Sequence, residues 1–77
     1  MLPTDQGDDP LLAVACQNLL IVIDEELAKG RDSATLETIV TELDKTGISF
    51  EEIDEAIEHL LMNGIIIEVE DNRFTTI

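Results

Sequence analysis

Residues 48–77 read ISFEEIDEAIEHLLMNGIIIEVEDNRFTTI, and their spacing decides the fold. Ser49 stands three residues before Glu52, the capping-box spacing in which the hydroxyl accepts from a backbone N–H of the first turn. Glu51 and Glu52 put negative charge at the positive end of the helix dipole. Phe50, Ile53, Ala56, Ile57, Leu60 and Leu61 then recur at helical spacing and share one face. Gly64, after Asn63, supplies the left-handed residue that ends many helices. Beyond it the period changes. Ile65, Ile66 and Ile67 are β-branched, and Ile65, Ile67 and Val69 alternate with Ile66, Glu68 and Glu70, the spacing of a half-buried strand. Asp71-Asn72 tolerates positive φ and makes a hairpin turn, from which Phe74 and Ile77 return beside the first strand.

Upstream, residues 1–8 are polar and carry Pro and Gly, the composition of a mobile tail, so a single domain is expected over 9–77. Asp9-Pro10 is a start signal, an acidic N-cap followed by Pro at the first helical position. The first helix should run to about Lys29 and stop at Gly30, with Leu12, Cys16, Leu19, Leu20, Ile23 and Leu27 as its buried stripe. Val14 and Ile21 fall on the opposite side, near Asn18 and Glu25. Either the tail or a neighbouring element covers them, or they form an apolar strip for a partner or a second copy of the chain, making a homodimer. Arg31-Asp32-Ser33 reads as a loop. Ala34-Thr35-Leu36 is either a very short first strand or the start of the second helix. That helix buries Leu36, Ile39, Val40 and Leu43 and ends near Thr46-Gly47, and Ile48 can staple against Ile53. The fold class is therefore α+β: three helices with a C-terminal β-hairpin wing, the order of a winged helix.

Seventy-seven residues make one small domain, and 44% hydrophobic content with only 3% aromatics calls for an aliphatic core. Charge is the loudest feature, 18 Asp+Glu against 4 Lys+Arg, a formal net of −14. Nucleic acid is bound mainly by cations that release counterions, so a surface this acidic repels it and attracts basic protein or peptide partners. The plainer reading is solubility, or adaptation to a salty cytoplasm that screens the repulsion. One cysteine excludes an intramolecular disulfide. The longest apolar run, Leu19 to Ile23, is far short of a membrane span, and the N-terminus lacks the form of a signal peptide. A cytoplasmic location without membrane contact is expected.

No residue set announces a chemistry. The exposed face of the third helix, by helical angle, comprises Glu51, Glu52, Glu55, Glu58, His59 and Met62, and the wing offers only Arg73. A helix entering the major groove would carry cations or amides there, so direct nucleic-acid binding is not expected. The same face is either a solvated surface or a dock for a basic helix or tail. His59 beside Glu55 and Glu58 supplies too few shielded ligands for a dedicated metal site. Cys16 sits on an apolar stripe, where a thiol behaves as a small hydrophobe. Neither a Gly-rich phosphate loop nor a metal-spaced Cys/His set occurs. The acids at Asp8-Asp9, Asp24-Glu25-Glu26 and Glu51-Glu52 lie at helix starts or on polar faces, where capping or solvation explains them. No catalytic, cofactor or metal site is expected.

The order of elements, and IDEAIEHLLMNGIIIEVEDNRFTTI over residues 53–77, resembles a winged-helix domain. Within that class it resembles the C-terminal modules of archaeal minichromosome-maintenance helicases and of the middle subunit of replication protein A. The shared pattern is an Asn63-Gly64 corner, then Ile66-Ile67-Glu68, then Phe74 on the return strand. The first resemblance implies a tail module that modulates an ATPase. The second implies a module that binds short helical peptides of repair factors, with Glu68, Glu70 and Asp71 as counterparts of its wing acids. Ile67 stands where an aromatic is common and Asn63 where an acid occurs, so specific partners do not transfer. The reading is a non-catalytic interaction or regulatory module associated with DNA replication or repair, binding through Glu68, Glu70, Asp71, Glu55, Glu58, Val14 and Ile21. The alternative is a DNA-binding transcriptional regulator of the winged helix-turn-helix type from a halophilic or acidic-proteome organism.

Overall fold

A computed structural model describes residues 10–77. The expected tail at 1–8 and the Asp9 cap lie outside the described residues. Three helices, α1 (Pro10–Ala28), α2 (Leu36–Asp44) and α3 (Phe50–Met62), join three strands, β1 (Ala34–Thr35), β2 (Ile66–Glu70) and β3 (Arg73–Thr76). The strands form one antiparallel sheet in the order β1-β3-β2. This is a mixed α+β fold of winged-helix-like arrangement, with β2 and β3 as the wing.

Local chemistry sets each boundary. Ser49 caps α3, its hydroxyl accepting from the Glu52 N–H at 3.3 Å. Thr35 closes β1 and caps α2 at once, its Oγ1 accepting from the Thr38 N–H at 3.1 Å. Both readings of Ala34-Thr35-Leu36 thus hold in part, with the strand ending where the helix begins. At the other end of α3, Gly64 takes φ +69° and the Ile65 N–H donates to the Leu60 carbonyl at 3.0 Å. This is the Schellman closure, which a side chain at the left-handed position resists. The first two helices end the same way, Arg31 donating to the Glu26 carbonyl at 3.1 Å and Ile48 to the Leu43 carbonyl at 3.2 Å.

The core is aliphatic, as the composition requires. Ala15, Leu19 and Ile23 from α1, Ile39 and Leu43 from α2, and Ile53, Ala56 and Leu60 from α3 are almost fully buried. Ile66 and Phe74 close the core from the sheet, and Ile48 packs against its edge, at the place where a staple to Ile53 was expected. The first helix sits differently from its expected stripe. Its buried residues are Ala15, Leu19, Val22, Ile23 and Glu26, while Leu12, Cys16, Leu20 and Leu27 are only partly buried at the margin. At 100° per residue the buried line is turned about 60° from the expected one. The cause is that α1 is apolar over most of its circumference, so bulk alone does not select the contact line. Phe50, placed by spacing on the buried face of α3, is 57% exposed, because it opens the helix beyond the edge of the core.

The wing turn is tied back to the helices. Asn72 adopts φ 61°, its N–H donates to Glu68 Oε2 at 2.9 Å, and its carbonyl accepts from the Leu36 N–H at 2.8 Å. The first backbone amide of α2 is thereby satisfied by the hairpin tip. A bulge between Glu68 and Glu70 restores the register to Arg73.

A Cβ at Gly64 would meet nothing within 4 Å, so Gly64→Ala carries backbone strain alone. We expect a loss of about 1–2 kcal/mol, read as a lower midpoint in urea unfolding at unchanged slope. An unaltered midpoint would show that α3 does not depend on this closure.

Candidate partner-binding surfaces

All four Lys and Arg residues of the chain lie beside a carboxylate. Lys29 and Arg31 reach Glu26 at 3.2 and 3.4 Å, Lys45 reaches Glu42 at 3.1 Å, and Arg73 reaches Glu70 at 3.6 Å. The pairs at Glu42 and Glu70 are exposed and contribute little to stability. The effect of all four is on the field: they consume the whole cationic inventory and leave a surplus of acids facing solvent. Glu26 differs from the expectation that its acidic run merely solvates a polar face. Its side chain is only 9% exposed, and the two cations that flank the end of α1 make this burial tolerable.

The residues singled out by sequence fall on three surfaces. Glu58 of α3 and Glu68 of β2 line one groove of about 260 Å³ between the third helix and the wing. Asp54 joins them at its rim, and Leu36, Ile57, Leu61 and Phe74 give it an apolar floor. Asp54 and the floor residues were not among the expected contacts; the i, i+4 spacing of Asp54 and Glu58 was the available signal. Asp71 instead borders a groove of about 500 Å³ between the wing turn and α2, lined by Leu36, Glu37, Val40, Thr41 and Arg73. Ile21 lies on the outer side of α1, in a shallow hollow with Asp24, Glu25 and Leu27. Val14 and Ile21 are 46% and 52% exposed, so no described element covers them. Glu55 and Glu70 are exposed and border none of these grooves.

The face of α3 away from the core carries Glu51, Asp54, Glu55, Glu58 and His59, all exposed. Glu52, expected on that face, is half-buried against the first turn. Among the described residues no three His, Cys, Asp or Glu side chains gather to hold a metal ion. Among them also, no helix is long and apolar enough to cross a membrane. Burial pushes the Cys16 thiol above its ordinary pKa by penalising the thiolate, the nucleophilic form.

No protein-family model matches this chain, and no curated protein matches it.

The raised Cys16 pKa lowers the thiolate fraction at any pH below it. Alkylation at pH 8 should therefore run several-fold slower in the folded protein than after unfolding in urea. Equal rates in the two states would make this thiol an exposed, ordinary one.

Proposed function

We propose that this chain is a non-catalytic protein-interaction module that docks a basic amphipathic segment in the groove between α3 and the wing. The observation that carries the reading is the groove itself, an apolar floor of Leu36, Ile57, Leu61 and Phe74 under the carboxylates of Asp54, Glu58 and Glu68. Such a surface suits a side chain with an apolar stem and a cationic head, which is the chemistry of Lys and Arg. Electrostatic attraction from the surrounding acids speeds encounter, and the apolar floor slows release. A helix meant for the major groove would present cations or amides where α3 presents Glu51, Glu55 and Glu58. The resemblance of residues 53–77 to replication and repair modules favours a partner from that machinery and a regulatory role.

The test is an NMR titration of the labelled protein at low and high salt, with duplex DNA first and a basic amphipathic peptide pool second. Peptide should shift resonances of Ile57, Glu58, Leu61 and Glu68, with affinity falling as salt rises. In the double variant Glu58→Gln, Glu68→Gln, which keeps an acceptor for the Asn72 N–H, affinity should fall roughly fivefold. Shifts along Glu55, Glu58 and His59 on adding DNA would replace this reading with a DNA-binding one.

A further inference from the structure

The outer face of the sheet is apolar and bare. In the antiparallel register Ile67 stands opposite Thr75, and Ile65 is bonded to Ile77, whose N–H donates to its carbonyl at 3.2 Å. Residues opposite one another point to the same face, so Ile65, Ile67, Thr75 and Ile77 lie together. Ile65, Ile67 and Val69 are 42%, 43% and 45% exposed, whereas Ile66, on the other face, is 1% exposed. The alternation in β2 thus buries Ile66 alone, and Glu68 and Glu70 stay exposed along with the β-branched line. β2 is also the outermost strand of the sheet on that side. Since the Ile65 carbonyl faces the β3 side, alternation turns the backbone groups of exposed Glu68 away from β3, toward the open edge.

An open edge strand with an apolar face is a template for another strand, and proteins protect such edges with charge and bulges. Here the protection has a sign. Glu68 stands opposite Phe74 and, past the bulge, Glu70 stands opposite Arg73 and pairs with it at 3.6 Å; a second copy pairing at this edge would still bring like-charged glutamates together. Each copy also carries a formal net charge of −14. Self-pairing is opposed. A strand with Lys or Arg beside Glu68 and a β-branched residue beside Ile67 meets no such barrier, and its cation gains from a carboxylate that no Lys or Arg of this protein pairs.

We infer that the β2 edge accepts an extended segment of a basic partner as a fourth strand, with alternating cationic and β-branched residues. This rests on the interaction reading but uses the open edge of β2 rather than the α3–wing groove, with Glu68 shared between the two. The probe is a capped hexapeptide of alternating Lys and Val. Two controls accompany it: the same residues reordered to helical spacing, and the analogue with Glu for Lys. The alternating peptide should shift resonances of residues 65–70 and slow hydrogen exchange of the Glu68 amide, while the Glu analogue does neither. The variant Ile67→Thr, Val69→Thr keeps β-branching at two exposed positions and should weaken binding about tenfold. Shifts confined to the α3–wing groove would overturn the fourth strand and leave the interaction module standing. Silence from all the peptides would overturn both. A free protein that sediments as a dimer with the Glu68 amide already protected would assign the edge to a second copy instead.

Discussion

The architecture depends on one repeated backbone device, the closure in which an amide bonds the carbonyl five residues back across a left-handed glycine. It occurs at Gly30, Gly47 and Gly64, and each time the carbonyl belongs to a buried residue: Glu26, Leu43 or Leu60. The motif is usually accompanied by an apolar contact between the residues it bonds. In the second closure Ile48 packs against the core cluster to which Leu43 belongs. In the first, the contact is ionic, with Arg31 reaching the Glu26 carboxylate at 3.4 Å. That substitution explains how a glutamate comes to be buried in so acidic a chain. It also fixes where the loop to β1 begins, and so where Thr35 can cap α2.

The third closure sets the phase of the wing. With the Ile65 amide held by Leu60, the next residue, Ile66, enters the core with Phe74, and the positions that follow take their faces from that choice as far as the bulge between Glu68 and Glu70. This is why the strand buries Ile66 rather than the longer apolar line of Ile65, Ile67 and Val69. The sequence made the alternation plain without showing which line would go inside, because that depends on the direction in which the preceding helix releases the chain. Element order, the Ser49 cap, the glycine stops and the hairpin turn were legible because each is a local interaction with a fixed spacing. The contact line of α1 was not, since Leu, Ile, Val, Ala and Cys surround most of that helix and the periodicity has little contrast. The groove was half legible: Glu58 and Glu68 were singled out separately, but only the fold brings them to one rim with Asp54. Helical spacing also set Phe50 among buried neighbours, where the end of the core leaves it exposed.

The ion pairs give the acidity a spatial form. Every Lys and Arg lies beside a carboxylate, and of the four only Arg73, at Glu70, pairs with an acid of α3 or the wing. Away from Glu70, an added basic segment therefore meets acids of α3 and the wing that no Lys or Arg of this protein pairs. The pairs at Glu42 and Glu70 are exposed and cost little to open. The pair of cations on Glu26 is different in kind, because that carboxylate is buried and would be left uncompensated without them. Structural charge and surface charge are thus separable here: the first lies at the end of α1, the second over α3 and the wing.

That separation bears on how an open β edge can persist. An unpaired strand of isoleucine and valine would draw identical chains together through backbone pairing and apolar contact, both insensitive to charge sign. Placing glutamates at the alternate positions makes the pairing conditional on the charge of the incoming strand. The cost is small, because Glu68 also accepts the Asn72 amide and so helps to hold the turn. Discrimination of this kind is a difference between affinities, and it requires a repulsive element as well as an attractive one. On β2 the two are neighbours: exposed Ile65 and Ile67 favour any extended chain, and Glu68 beside them rejects those that carry the same sign.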